Sequence, residues 1–162
     1  YSVTDPGSGL TYWFAPPPEE LGPVGVVLPL AAVSDRNGNR IDLGYDAVTG
    51  WLTEITHTGG YHVDVECQDG HITEFRLAGR DGADDVTMIR YGYDERGRLT
   101  DVINSSGLPM KFGYDRHNRM TSWTDRNGTW YRYTYDGAGR VIRTAGSAHC
   151  FDGRCGTTPR TG

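Results

Sequence analysis

The sequence predicts an all-β fold, one antiparallel meander of repeated hairpins, and three observations predict it. The first is a repeat. "RYGYDERGRLT" begins at Arg90, "KFGYDRHNRMT" at Lys111 and "RYTYDGAGRVI" at Arg132, so Tyr93, Tyr114 and Tyr135 recur at a step of 21 residues. A fixed period of this size marks a repeat architecture. The second is strand-like alternation. One face reads Ile89, Tyr91, Tyr93, then Met110, Phe112, Tyr114, then Tyr131, Tyr133, Tyr135; the other carries Arg90, Gly92, Asp94 and their equivalents. The third is composition: 23 Gly and 10 Tyr among 162 residues, with no stretch that places apolar residues at helical spacing.

Taken in order, the elements fit this frame. Leu10, Tyr12 and Phe14 begin it; Ile41, Leu43 and Tyr45, then Tyr61, Val63, Val65 and Cys67, follow with weaker letters. The Pro-rich "APPPEELGPVG" at residues 15–25 connects the first hairpin to the rest, and "GRDGADD" lengthens one turn. About thirteen strands are expected. At about 4.8 Å per strand they make a sheet on the order of 60 Å wide, which should twist and curl. After Gly146 the pattern stops: the next Tyr-Asp falls due near Gly156, where the chain reads "HCFDGRCGTTPRTG". Residues 1–146 are therefore expected to form the repeat sheet and 147–162 a divergent or truncated tail.

The turns explain the block Tyr-Asp-x-x-Gly-Arg. An Asp after the strand caps the turn by accepting backbone N–H bonds. Gly97, Asn118 and Gly139 stand three residues after Asp94, Asp115 and Asp136, where a three-residue hairpin needs a positive φ; Asn is the common substitute for Gly there. Tyr45 and Asp46 open an earlier, degenerate copy. "DRNG" at Asp35–Gly38 and Asp125–Gly128, and "QDG" at Gln68–Gly70, supply turns elsewhere. The structural repeat positions are thus Tyr45, Asp46, Tyr93, Asp94, Gly97, Tyr114, Asp115, Asn118, Tyr135, Asp136 and Gly139, and none of them demands chemistry.

Composition also excludes function classes. The net charge is −5 with no basic stripe, which argues against a nucleic-acid or anionic-membrane binder. No apolar run approaches the length of a membrane span. A start at "YSVTDPG" without Met or signal peptide reads as a piece of something longer. Three Cys are too few for a disulfide framework. A glycosidase carboxylate pair is disfavoured because nearly every Asp sits at a turn tip, without the burial that raises a pKa. "DRNGNRID" has its Gly in the wrong place for a calcium loop. His149, Cys150 and Cys155 lack a fourth zinc ligand; a Cys150–Cys155 disulfide across a short turn is the stronger reading in an oxidising compartment. Cys67 takes a Tyr slot on the apolar face and is expected to be a buried, unpaired thiol. The sequons at Asn104 and Asn127 read as turns. No catalytic residue, cofactor or metal is expected.

"YGYDERGRLTDVINSSG", "FGYDRHNRMTSWTDRNG" and "YRYTYDGAGRVIRTAG" resemble the YD repeats of the RHS family. The upstream "LPLAAVSDRNGNRIDLGYDAVTGWLTEITHTGG" and "DPGSGLTYWFAP" resemble the start of the repeat array in actinobacterial RHS proteins. The resemblance runs from Tyr1 to about Gly146. It implies a sheet strip that spirals into a hollow shell, which in polymorphic toxins encloses a C-terminal toxic domain until delivery. The self-cleaving aspartyl site of the family's closing region has no match here, so no catalytic residue carries over. The implied role is a non-enzymatic shell segment in a secreted or surface-delivered toxin. The implied partners are the remainder of the shell and its toxin domain. The alternative is a carbohydrate-binding or adhesion module using Trp13, Trp51, Trp123 and Trp130. An apolar face without a second layer should also seek cover, from the rest of a shell or a second copy.

Overall fold

The computed structural model of the chain describes residues 1–15 and 27–147. Thirteen strands and no helix occupy them. They are β1 (Ser2–Thr4), β2 (Thr11–Phe14), β3 (Leu30–Ser34), β4 (Arg40–Tyr45), β5 (Leu52–His57), β6 (Tyr61–Gln68) and β7 (His71–Leu77). After these come β8 (Val86–Tyr93), β9 (Leu99–Asn104), β10 (Pro109–Tyr114), β11 (Met120–Thr124), β12 (Trp130–Tyr135) and β13 (Val141–Ser147). Hydrogen-bonded neighbours follow chain order from β1 to β13, in one antiparallel sheet. Two compact units divide the chain, Tyr1–Met88 and Ile89–Gly162, so the boundary falls within β8. The tail after 147 and the two Cys in it lie outside the described residues, as does nearly all of the Pro-rich connection.

The turns share one construction. In five of them an Asp N–H bonds the carbonyl four residues on, and the N–H three residues on bonds back to the Asp carbonyl. These are Asp35–Asn39, Asp94–Arg98, Asp115–Arg119, Asp125–Thr129 and Asp136–Arg140. The residue before the close takes the left-handed region: Gly97 has φ 71°, Asn118 61° and Gly139 82°. The turns at Asp5 and Asp46 are one residue longer, closing at Leu10 and Trp51. The Asn-Gly pairs behave differently from a two-residue hairpin turn. Gly38 and Gly128 have positive φ but Asn37 and Asn127 do not, because Asp35 and Asp125 impose the three-residue loop. The two-residue form occurs at Asp69-Gly70, both at positive φ between the paired Gln68 and His71.

Within each unit the sheet is a single layer. Ala32 and Val65 are the buried apolar side chains among the described residues. The alternation seen in the sequence is present in the register, but neither face is sealed. β9 and β11 are half-buried at every position, which is why their sequences alternate weakly. Cys67 shows the same limit: it is a free thiol, half-buried rather than buried, because no second layer closes over its slot.

The turn construction sets the first prediction. Gly97→Val forces a β-branched residue into the left-handed region and should destabilise the chain by on the order of 1 kcal/mol or more. Gly137→Ala, at a turn position where an added Cβ meets nothing within 4 Å, should be neutral or slightly stabilising. Urea denaturation midpoints of the two variants give the comparison, and the reverse order would contradict the turn geometry.

Candidate functional site

The repeat positions converge at the junction between one hairpin and the next. Asp94 Oδ1 accepts the backbone N–H groups of Arg96 (2.9 Å) and Arg98 (3.1 Å), and its Oδ2 accepts Arg98 Nε at 2.7 Å. Arg98 Nη2 lies 2.7 Å from the same oxygen. Asp115 repeats the pattern with His117, Arg119 and the Arg119 guanidinium, and Asp136 with Ala138, Arg140 and the Arg140 guanidinium. These contacts favour the carboxylate. The Arg98 side-chain hydrogen bond leads in holding Asp94 at about 2. At Asp115, burial pushes upward but is outweighed by Arg119 and two backbone N–H groups, leaving it also at about 2. Asp136 is lowered by the Arg140 backbone and side chain.

Tyr and Arg then reach across to the neighbouring repeat. Tyr114 OH donates to the Leu99 carbonyl at 2.9 Å, Tyr135 OH to Met120 at 2.6 Å and Tyr45 OH to Leu30 at 2.8 Å. The spacing is always fifteen residues. Each of these Tyr stands where the ladder shifts register, between Gly44/Tyr45, Gly113/Tyr114 and Thr134/Tyr135, and Tyr93 occupies the same place after Gly92. The shift turns the ring toward the preceding strand. Cys67, also at a register shift, places its thiol 3.4 Å from the Leu52 carbonyl, fifteen residues back, in the role of the hydroxyl. The Arg98 guanidinium lies 5.1 Å from the Tyr114 ring centroid while its Nη1 donates to the Asp115 carbonyl at 2.7 Å. Arg119 does the same to Tyr135 (4.5 Å) and the Asp136 carbonyl (3.4 Å). One Arg therefore ties the Asp of its own turn to the Tyr-Asp of the next.

The sequence assigned Tyr, Asp and Gly but left Arg without a role. The signal was available: Arg98, Arg119 and Arg140 each stand four residues after the Asp. Asp46 departs from the pattern, with Thr49 supplying the backbone N–H and hydroxyl in place of an Arg fork.

Other candidate residues are placed as follows. Asp35 spends its carboxylate on Asn37 and Asn39 in a hairpin turn. Asn104 accepts from Ser106 in another. Among the described residues no His, Cys, Asp and Glu group could hold a metal ion; His149, Cys150 and Cys155 are not among them. Trp13 carries Arg40 over its ring, Trp130 carries Arg132, and Trp123 stacks on Tyr131 at 5.0 Å while donating to Tyr133. In the first unit Arg76 sits among Asp64, Glu66, Glu74 and Asp85, its nearest contact being Glu66 at 2.8 Å. A cavity of about 240 Å³ there is lined by Tyr61, Leu77, Arg80 and Val86, with Arg80 stacked on Tyr61.

A one-layer antiparallel sheet whose hairpins are joined by Tyr–Asp–Arg junctions defines a YD-repeat protein. The chain belongs to the Teneurin YD-shell family, whose model matches residues 68–158, more than half of its length. Among solved structures it is similar to TcdB2-TccC3 (TM-score 0.57) and to TcdB2-TccC3 without its hypervariable C-terminal region (0.56). Each is 19% identical over 69% of this chain and only 6% of the other, so the chain spans a small part of those proteins. A search of curated proteins finds no match. Among the described residues no helix is long and apolar enough to cross a membrane.

Two predictions follow from the junction. Asp94 and Asp115 have folded pKa values near 2, below the ordinary carboxylate value of about 3.9. Their contribution is fully present above about pH 4 and is lost as pH falls toward 2. An Asp94→Asn/Asp115→Asn chain should be less stable at pH 7 and flatter between pH 4 and 2, followed by denaturant midpoint against pH. An equally steep acid limb would contradict the pairing. Separately, Tyr114→Phe removes one hydroxyl bond to Leu99 and should cost about 1 kcal/mol in urea unfolding.

Proposed function

We propose that the chain is a non-catalytic wall segment of an RHS-type shell that encloses a C-terminal toxin and helps deliver it in bacterial competition. The observation that carries this reading is the junction itself. Arg98 and Arg119 reach from their own turn Asp to the next repeat, and Tyr114 and Tyr135 bond back to the preceding one, in a sheet whose buried apolar side chains are Ala32 and Val65 alone among the described residues. Such a sheet is built to extend. The turn carboxylates are held ionised by N–H and guanidinium donors, the opposite of what a general acid requires. The similarity to shell-family sequences supports the same reading, and a secreted or surface location goes with it. Carbohydrate binding is less well supported, since Arg or Tyr already occupies a face of Trp13, Trp123 and Trp130.

Two measurements test the proposal. A glycan array should return no selective signal; a glycan bound selectively and lost in Trp123→Ala would move the reading to an adhesion module. In an assembled shell carrying this segment, Arg98→Ala/Arg119→Ala should open the wall and make the enclosed domain sensitive to protease. Unchanged protection would overturn the enclosing role.

A further inference from the structure

The asparagines of the chain contain an internal comparison, and all of them lie among the described residues. Asn39 Nδ2 donates to Asp35 Oδ2 at 2.7 Å, Asn104 Oδ1 accepts from Ser106 Oγ at 2.6 Å and Asn118 Oδ1 accepts from Arg98 Nη1 at 3.4 Å. Asn37 turns its side-chain amide to the Asp35 carboxylate. Asn127 differs. Its backbone N–H donates to Asp125 Oδ1 at 2.9 Å, but among the described residues its side-chain amide has no hydrogen-bond partner. Asn127 and Gly128 are both exposed, at the tip of the β11–β12 hairpin. Of the five asparagines, Asn37 and Asn127 alone precede a glycine, each within an Asp-Arg-Asn-Gly turn. A glycine nitrogen has no Cβ beside it to hinder close approach. The two glycine N–H groups are engaged alike, Gly38 to the Asp35 carbonyl at 3.4 Å and Gly128 to the Asp125 carbonyl at 3.2 Å. The local sequence and the turn are thus shared, and the state of the Asn side chain is what differs.

We propose that Asn127 is a site of spontaneous covalent modification, in which its side-chain amide closes on the Gly128 nitrogen and is hydrolysed to aspartyl and isoaspartyl linkages. The Gly128 nitrogen gives its proton to solvent base and attacks Asn127 Cγ, an intramolecular step between neighbouring groups. A C–N bond forms, the Cγ–Nδ2 bond breaks, and the amide nitrogen takes up a proton and leaves as ammonia. The product is a five-membered succinimide ring, which water then opens. Addition at the former side-chain carbon restores an ordinary main chain with an aspartyl side chain. Addition at the main-chain carbonyl leaves Gly128 attached through the side chain, as an isoaspartyl linkage. Water is the one co-reactant, and nothing is oxidised or reduced. Either product places a new negative charge two residues from Asp125. The isoaspartyl form also adds a methylene to a loop that Asp125 holds through the N–H groups of Asn127 and Thr129. The same reaction at Asn37 must first free the amide from Asp35.

The test is peptide mapping by mass spectrometry of the full folded chain after incubation at mildly alkaline pH, with enzymatic methyl labelling of isoaspartyl groups. Conversion at Asn127 should be faster than at Asn37 by about fivefold or more, the factor that one ordinary hydrogen bond supplies. Asn39, Asn104 and Asn118 should remain intact. The mass change separates loss of an amide from isomerisation at Asp-Gly pairs, which leaves the mass unaltered. In urea at the same pH, Asn37 and Asn127 should convert at similar rates, because unfolding removes the Asp35 contact and leaves the same local sequence. Asn127→Gln should abolish labelling of its peptide. Equal rates in the folded chain, faster conversion at Asn37, or no conversion at Asn127 overturns the proposal. So does a difference that persists in urea, which would assign it to sequence rather than to the fold.

Discussion

The repeat array of the second unit depends on two arginines, Arg98 and Arg119, that each serve two hairpins at once. Backbone ladders join any strand to any neighbour and carry little information about register. The Arg98 and Arg119 forks do carry it, because a guanidinium gripping its own turn Asp has only one direction left in which to donate. That direction meets the next Tyr ring and the next Asp carbonyl. A cation–π contact of this kind contributes roughly 0.5–1 kcal/mol at a partly exposed site. The Tyr hydroxyl bond adds a similar amount. Neither is large, but both recur at the same step as the fold, so the array is stabilised neighbour by neighbour.

That arrangement explains how the chain manages with so little core. A two-layer domain hides its apolar face against another layer. Here most of the strand residues are half-covered by neighbours in the same layer, and Arg guanidinium groups lie over aromatic rings. Tyr suits such a surface better than Phe: the ring supplies area and the hydroxyl reaches a carbonyl on the preceding strand. A sheet of this type is stabilised by each repeat added to it.

The carboxylates belong to the same junctions. At the junctions, each Asp is fixed by two backbone N–H groups and a guanidinium, which lowers its pKa. In the first unit the acidic residues instead face Arg76 across adjacent strands, with Asp64 opposite Arg76 and Glu66 opposite Glu74 in the β6–β7 register.

The sequence by itself determined the strand content, the hairpin order and the turn caps. These are local: an Asp, a Gly or Asn three residues on, and alternation of period two are short-range instructions that need no distant partner. It also gave the family, because a 21-residue Tyr-Asp period is a pattern rather than a contact. Only the tertiary structure decided what the Arg does, which carbonyl each Tyr hydroxyl meets, and that Cys67 substitutes for a Tyr at the Leu52 carbonyl. Those contacts lie fifteen to seventeen residues apart and depend on register shifts before Tyr45, Cys67, Tyr114 and Tyr135. One extra residue in a strand sets such a shift, and strand alternation does not reveal it. Burial was hidden for a related reason: alternation names two faces, but whether either is sealed depends on a second layer, which lies beyond any local pattern.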